Sequence, residues 1–330
     1  MFPTSSQCKY WMFSSEEELD SLRVNANNKH IETHGKNINP ATKYDIFLNP
    51  EEERLMVKRF EGHLKDFCKR FQPPMPRCVT GTAFHYFKRF YIKNSVMNYH
   101  PKEIMVTCIY LACKVEEFNV SILQFVANIK GDREKAADII LNNELLLMEQ
   151  LNFQLAIHNP FRPVEGLLID IKTRGSLHDP ERLRVGTEQF LERVLLTDAL
   201  LLYAPSQVAL AAVLHAASKL QENLDSYVTE ILFGRDGSDK LAHLIDAVRA
   251  IRSMEKTVDI AADKNLMKTL DKKLEKCRNP ENNPDSDIYK KKMQALLDDE
   301  DDLYNAISAQ NQEKDDSALR MSLPNSPEVA

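Results

Sequence analysis

Two segments of the sequence begin alike and decide the fold: YHPKEIMVTCIYLACKVEE, residues 99–117, and YAPSQVALAAVLHAASKLQ, residues 203–221. Each starts with Tyr-x-Pro and continues as a largely apolar run, and the two starts lie 104 residues apart. Proline is well placed as the first residue of a helix. A helix that is apolar nearly all round is typical of the buried centre of a domain. The two segments therefore predict two central helices in one chain.

The offset of 104 residues also aligns other apolar positions, in these helices and in the helices before them. The matched pairs are Ile104 and Val208, Val106 and Leu210, Ile109 and Val213, Ala112 and Ala216, Tyr86 and Phe190, Phe87 and Leu191, and Phe90 and Val194. A repeat of this kind defines the architecture of a chain. We therefore predict an all-α fold built from two tandem units of about five helices each, with flanking N- and C-terminal helices.

Composition divides the chain into five predicted segments. They are an N-terminal helix and loop at 1–50, the first unit at 51–157, the second unit at 158–260, a C-terminal helix at 261–278, and an acidic, disordered tail at 279–330.

Two patterns predict the flanking helices. Ser14 or Ser15, followed by Glu17 or Glu18, is a capping box that predicts a short helix through Leu22. The row Leu266, Leu270, Leu274 and Cys277 predicts a final helix, whose apolar stripe is so narrow that the helix must dock on another element.

The nine glycines among 330 residues argue against folds that use glycine freely, such as sandwiches and barrels. Four of them fall inside predicted helices in near-matched pairs, Gly62 with Gly166 and Gly81 with Gly186, which predicts a close helix contact at each. The formal charge is −6, opposite to that of most nucleic-acid-binding proteins. The six cysteines form no CxxC pair, and no signal peptide or membrane span is indicated. These features predict a soluble intracellular protein.

Motifs of known enzyme and cofactor sites are not found in the sequence. It contains no HExxH, GxSxG, GxxxxGKS/T or GxGxxG pattern. No histidine pairs with a cysteine or carboxylate at the spacing of metal ligands. We therefore predict no catalytic residues, no cofactor and no metal, and a binding rather than an enzymatic role. The pair Lys88 and Arg89 is interpreted as part of a solvated face.

Two charged residues interrupt apolar helices of the first unit. Lys114 lies at the end of the central helix, and Glu144 lies between Ile140 and Met148 on one i,i+4 row. One interpretation is that Lys114 satisfies the carbonyls of its own helix end while Glu144 points sideways into water. The other is that both charges stand at an apolar interface, where they bind a partner's backbone, since a charge buried there without a partner is costly.

Several motifs resemble those of a known family, the cyclins. The segments 112–117, 143–147 and 151–155 resemble the cyclin box, which occurs as a duplicated five-helix unit. The segments 11–17, 86–91, 94–97 and 158–163 are similar to the cyclin of CDK-activating kinases in particular. Together the motifs lie in order within residues 5–260.

The resemblance implies a nuclear regulatory subunit without catalytic activity. Such a subunit binds and activates a cyclin-dependent kinase, together with a RING-finger assembly factor. Within general transcription factor TFIIH that kinase phosphorylates the C-terminal domain of RNA polymerase II.

The resemblance also implies where the kinase binds. By motif match, Lys114 and Glu144 would grip the kinase, and Met148, Phe153 and Leu155 would make apolar contacts beside them. The N-terminal helix and the helix containing Leu266 would pack together against the first unit.

Two alternatives remain open from the sequence. One is another transcriptional cyclin, of the type associated with Mediator. The other is a duplicated helical core like that of general factor IIB, which holds DNA. A basic face and a zinc ribbon, which the second alternative predicts, are not visible in the sequence, and we expect neither direct nucleic-acid binding nor a membrane partner.

Overall fold

The computed structural model of the chain describes residues 1–36, 42–175, 177–232, 238–258, 264–296 and 298. Within these ranges the regular secondary structure consists of helices, and no strand occurs. None of the described helices is both long enough and apolar enough to cross a membrane. The chain forms two compact units, 1–278 and 279–330.

Fourteen helices are defined in the part of the first compact unit that is described. In chain order they are α1 Ser6–Tyr10, α2 Glu16–His34, α3 Lys43–Ile46, α4 Pro50–Arg70, α5 Arg77–Lys93, α6 Pro101–Val115, α7 Ile122–Val126, α8 Arg133–Gln150, α9 Phe161–Arg174, α10 Arg184–Val194, α11 Ala199–Leu202, α12 Pro205–Lys219, α13 Ser238–Lys256 and α14 Lys264–Cys277.

The predicted duplication is confirmed. The central helices α6 and α12 are each 15 residues long and begin at Pro101 and Pro205. Helix α6 packs against α4, α5 and α8, and α12 packs in the same way against α9, α10 and α13. The fourth element is the short helix α7 in the first repeat and a π-helical segment, Tyr227–Leu232, in the second. We call α4–α8 the first box and α9–α13 the second box.

The repeat extends to the way in which the central helices end. Glu117 after α6 and Gln221 after α12 both adopt left-handed backbone conformations, with φ of 56° and 58°. The amides of Phe118 and Glu222 donate to the carbonyls of Cys113 and Ala217, at 2.9 Å in both cases. This is the Schellman ending, which glycine normally occupies. Glu117 and Gln221 thus stand at two positions where glycine is usual, which contributes to the low glycine content of the chain.

The N-terminal region is more helical than predicted. The predicted capping box is only half formed. Ser15 Oγ caps α2 by accepting from the Glu18 amide at 3.3 Å, but Glu18 Oε2 accepts from the amide of Ser14, the residue before the cap, at 2.7 Å. The prediction of a short helix is wrong, because α2 continues to His34. Asn27, a poor helix former, is fully buried and donates through Nδ2 to the Leu48 carbonyl at 2.9 Å. Tertiary packing therefore overrides the local preference.

The C-terminal helix α14 docks on α3 and α4, and α2 contacts α4 and α5. The backbone of Cys277, the last residue of α14, lies close to the imidazole of His30 in α2, so the two flanking helices meet. The predicted apolar row is wrong at one position, since Leu266 is exposed and Met267 is buried. The reason is that 3.6 residues per turn favour alternating steps of three and four over repeated steps of four.

Two charged residues are buried where a solvated face was predicted. Lys88 and Arg89 are only 2% and 1% exposed. Lys88 Nζ donates to Glu61 Oε1 of α4 at 2.7 Å. Lysine and arginine are rarely buried unless they are paired, so a charged dipeptide in a sequence favours a surface position, and here the tertiary fold decides otherwise.

The paired glycines divide into two classes. A Cβ atom added to Gly81 would lie 2.3 Å from Oδ1 of Asn159, and one added to Gly186 would lie 3.1 Å from Cβ of Ala216. These two positions confirm the predicted close approach. For Gly62 and Gly166 the prediction is wrong, because an added Cβ would meet nothing within 4 Å.

The second compact unit, 279–330, begins with a short 3-10 turn at Pro280–Asn282. A helix follows over residues 287–296. The predicted disorder of the tail falls mainly on residues 299–330, which lie outside the described residues.

Candidate functional site: a charged and apolar face of the first box

An ion pair joins the C-terminal end of α6 to the second half of α8, two packed helices of the first box. Nζ of Lys114, near the end of α6, lies 2.7 Å from both Oε1 and Oε2 of Glu144 in α8. The Lys114 side chain is 46% exposed and the Glu144 side chain 15% exposed. Nζ of Lys114 also lies 4.9 Å from the ring centroid of Tyr110, one turn earlier in α6. The structure thus brings together the two charges that the sequence places 30 residues apart.

Helix capping does not account for the Lys114 side chain. The Lys114 carbonyl accepts from the Glu117 amide at 3.3 Å, and the Ala112 carbonyl accepts from the Glu116 amide at 3.0 Å. The backbone amides after α6 therefore satisfy its last carbonyls, as in other Schellman endings. The first interpretation of the sequence is thus wrong for Lys114, whose ammonium group is directed to Glu144.

Apolar side chains are exposed around this ion pair. Leu141 and Leu145 of α8 are 48% and 57% exposed, whereas Ile140 and Leu147 on the opposite side of the helix are buried. Met148, one turn after Glu144, is half-buried against the core. Sequence reasoning did not single out Leu141 and Leu145, because it did not show which side of α8 the neighbouring helices cover. The available signal was that the apolar residues of α8 cover more than one face, which predicts a second contact surface.

The loop after α8 presents a further apolar side chain. Asn152 and Phe153 both have left-handed backbone conformations, with φ of 52° and 55°. The amide of Phe153 donates to the Met148 carbonyl at 2.8 Å, and the Phe153 side chain is 60% exposed. Leu155 is half-buried, and its carbonyl accepts from the Tyr86 hydroxyl at 2.6 Å. The chain therefore turns back sharply at Phe153 and leaves its ring in solvent.

We call the surface formed by Lys114, Leu141, Glu144, Leu145, Met148, Phe153 and Leu155 the α6–α8 face. It combines an oriented pair of charges with exposed apolar groups, which is the composition of a protein-binding surface. The pair offers ammonium donors and carboxylate acceptors to a partner's backbone. No cluster of three metal-ligating side chains occurs in the portion of the chain that the structure describes.

Comparison with known families agrees with this architecture. The family described as "Cyclin, N-terminal domain" matches residues 36–156, and the family described as "Cyclin C-terminal domain" matches residues 159–256. Two tandem domains of these kinds define the class. The chain belongs to the cyclin family, which confirms the resemblance inferred from the sequence.

Within the cyclins, the similarity is to the H type. Cyclin-H of Xenopus laevis is 45% identical over 285 residues, which cover 85% of this chain and 88% of the relative. Among solved structures, a chain of the CAK complex from Chaetomium thermophilum bound to ATP-gamma-S matches with a TM-score of 0.73 and 28% identity. The match covers 91% of this chain and 94% of that one. A chain of the yeast TFIIK (Kin28/Ccl1/Tfb3) complex matches with a TM-score of 0.60 and 28% identity, covering 77% and 99%.

Proposed function

We propose that the chain is a non-catalytic regulatory cyclin, which binds a cyclin-dependent kinase through the α6–α8 face and activates it. The observation that carries the proposal is the Lys114–Glu144 ion pair, set among the exposed side chains of Leu141, Leu145 and Phe153. The similarity to Cyclin-H and to a chain of the CAK complex supports the same conclusion.

The apolar and the charged side chains of this face contribute to binding in different ways. The apolar side chains lose exposed area when a partner covers them, which stabilises the complex by about 25 cal/mol per Å² of apolar surface. The ion pair is already formed in the free chain, so little reordering is needed for the Lys114 ammonium group to donate, and the Glu144 carboxylate to accept, hydrogen bonds with a partner. Preorganisation of this kind raises affinity because less entropy is lost on binding.

Activation is a population shift of the kinase. A kinase whose αC helix is displaced lacks the Lys–Glu ion pair that places the phosphates of ATP. A rigid cyclin that binds only the competent conformation moves the equilibrium toward it. To change the ratio of competent to displaced kinase from 1:99 to 99:1, the cyclin must bind the competent conformation more tightly by about 5.5 kcal/mol. A cyclin built from closely packed helices can do this because it holds its binding face in one shape.

We further propose that the complex contains a RING-finger assembly factor and joins the TFIIH core in the nucleus, where the kinase phosphorylates the C-terminal domain of RNA polymerase II. The yeast complex that includes a similar chain has three named components, Kin28, Ccl1 and Tfb3. This composition supports a third subunit. Affinity purification of the full chain from nuclear extract, followed by mass spectrometry, tests the set of partners.

The test of the binding face is a charge reversal. The double variant K114E/E144K keeps an ion pair between α6 and α8 but exchanges the positions of the two charges. We expect it to fold like the unaltered chain and to lose kinase affinity by about thirtyfold or more, as at an interface hot spot. Surface plasmon resonance and a peptide phosphorylation assay measure the loss.

The matched control lies on α13, the counterpart of α8 in the second box. Asp246 and Arg249 form an exposed pair there, with Arg249 Nη1 3.6 Å from Asp246 Oδ1. The variant D246R/R249D exchanges those charges and should leave kinase affinity unchanged. Full binding and activation by K114E/E144K would contradict the proposed face.

A further inference from the structure

The N-terminal segment lies against the loop that carries Phe153. Gln7 and Trp11 are each only 1% exposed. Oε1 of Gln7 accepts from the His158 amide at 2.6 Å, and Nε2 of Gln7 lies 3.4 Å from the His158 carbonyl oxygen. Nε1 of Trp11 donates to Oε1 of Gln154 at 2.6 Å. Two side chains from the first eleven residues thus hold a loop nearly 150 residues away in sequence.

Helix α5 holds the same loop through other groups. The hydroxyl of Tyr86 donates to the Leu155 carbonyl at 2.6 Å, and Nη1 of Arg89 lies 3.3 Å from the Gln154 carbonyl oxygen. Residues 151–158 are therefore hydrogen-bonded both to α5 and to the N-terminal segment. The N-terminal contribution is the one that a local change can remove without altering a core helix.

Arg89 links the two sets of contacts. Its guanidinium carbon lies 4.9 Å from the centroid of the Trp11 ring. Its Nε and Nη2 atoms are buried and have no hydrogen-bond partner among the described residues, and burial lowers the pKa of Arg89 to about 9. A buried cation without a carboxylate partner is stabilised by the negative face of an aromatic ring. The Trp11 ring supplies that face next to the loop.

The loop needs such support because of its backbone. Asn152 and Phe153 are consecutive left-handed residues, and each non-glycine residue in that region costs roughly 1–2 kcal/mol. Conformations of this kind persist only where the surroundings determine them. Gln7, Trp11, Tyr86 and Arg89 are among the groups that hold this loop.

We infer that Gln7 and Trp11 are positioning residues, which hold residues 151–158 in the one shape that presents Phe153 and Leu155 to the kinase. The inference rests on the function proposed above. Neither side chain is available to contact the kinase, because both are buried in the free chain. If only about a tenth of the molecules held the loop in this shape, the apparent Kd for the kinase would rise about tenfold.

The experiment compares the full chain with three variants. Trp11→Phe keeps an aromatic ring beside Arg89 and removes the indole N–H that donates to Gln154. Trp11→Ala removes both the ring and the donor. Tyr10→Ala is the control, since Tyr10 is the neighbouring residue of α1 and its side chain is 53% exposed. Hydrogen exchange in the free chain and kinase affinity are measured for each.

The expected result is graded. Exchange in residues 151–158 becomes faster in Trp11→Phe and faster still in Trp11→Ala, while exchange in α6 stays unchanged because the core is intact. Kinase affinity falls in the same order, by about tenfold in Trp11→Ala. Tyr10→Ala matches the unaltered chain in both measurements.

Two outcomes would overturn the inference. One is unchanged exchange of the loop in Trp11→Ala. The other is faster exchange of the loop with unchanged kinase affinity, which would reduce the contacts to a purely structural role. The variant K114E/E144K, measured in parallel, tests the proposed binding face separately. If that face were wrong, K114E/E144K would bind the kinase as tightly as the unaltered chain.

Discussion

The two boxes share their helices but differ in the charges that those helices carry. Helices α6 and α12 have the same length and the same left-handed ending. At the offset of 104 residues, however, Lys114 corresponds to Ser218 and Glu144 to the buried Val248. The scaffold is therefore duplicated and the binding face is not. A surface helix end can change its side chains freely, whereas the packed centre of a box cannot.

A second pair of positions differs in burial. Glu61 and Lys88 are paired inside the first box, with side chains only 5% and 1% exposed. Their counterparts, Glu165 and Glu192, lie at the surface and pair with Arg184 and Lys65. The first box is covered near this point by α2, whose Arg23 pairs with Asp198 at 2.7 Å. Equivalent positions of the two boxes thus form a buried ion pair in the first box, where α2 covers them, and exposed ion pairs in the second.

The largest expected effect tests this difference in burial. Lys88→Met leaves the Glu61 carboxylate buried without its cation, which should lower the free energy of unfolding by about 3–5 kcal/mol. Glu165→Gln breaks an exposed pair and should cost at most about 1 kcal/mol. Urea unfolding followed by circular dichroism measures both. The double variant K88M/E61L should recover most of the loss, and a Lys88→Met protein as stable as Glu165→Gln would contradict the comparison.

The next largest expected effect is a pH dependence of the free energy of unfolding, which arises from Glu53 in the first box. Glu53 accepts a hydrogen bond from Ser95 Oγ, and burial raises the pKa of Glu53 from 4.5 to about 7. Between these values the folded chain keeps a proton that the unfolded chain has released. The free energy of unfolding should therefore fall as pH rises from 4.5 to 7, by about 3 kcal/mol. Glu53→Gln removes this contribution.

Measuring the difference between the two proteins isolates Glu53. Burial lowers the pKa values of His30 and His100 to about 4, which gives a dependence of the opposite sign, and this is the same in both proteins. At the offset of 104 residues Glu53 corresponds to Ile157, which precedes α9, so the repeat does not carry a second carboxylate at this position. A constant difference in unfolding free energy between pH 4.5 and 7 would show that Glu53 titrates normally.

The smallest effect separates the paired glycines. Gly81→Ala forces Asn159 away from Thr82, to which its Nδ2 donates at 3.0 Å, and should cost about 1–3 kcal/mol. Gly62→Ala has free space and should stabilise α4 by about 0.5–1 kcal/mol. Thermal unfolding measures both signs. Gly166→Ala, the counterpart in the second box, should stabilise the protein like Gly62→Ala. A loss of stability in either variant would show that the added methyl group meets another atom, contrary to the open space around these glycines.

Much of the fold could be predicted from local patterns. The offset of 104 residues identified the central helices, because proline at a helix start and an apolar run are both local signals. The helix α2 was predicted too short, since the packing that stabilises Asn27 involves Leu48 in another segment. The burial of Lys88 could not be predicted either, because its partner Glu61 lies 27 residues earlier and no local pattern joins them.

The candidate site was predictable only in part. Spacing singled out Lys114 and Glu144 but left two interpretations open, and the resemblance to cyclins supplied Met148, Phe153 and Leu155. The exposed leucines of α8 were missed because exposure depends on which neighbours cover a helix face. We propose that the α6–α8 face binds the kinase, and the charge reversal K114E/E144K tests that proposal.

The sequence by itself determined the helical class, the duplication and the cyclin family, because these follow from periodicity and from motifs within short stretches of chain. Only the tertiary structure decided which charges are buried, which leucines face solvent, and that Gln7 and Trp11 hold the loop at 151–158. Those outcomes depend on contacts between residues far apart in the chain. Burial and hydrogen bonding are properties of the assembled fold, so no single segment contains them.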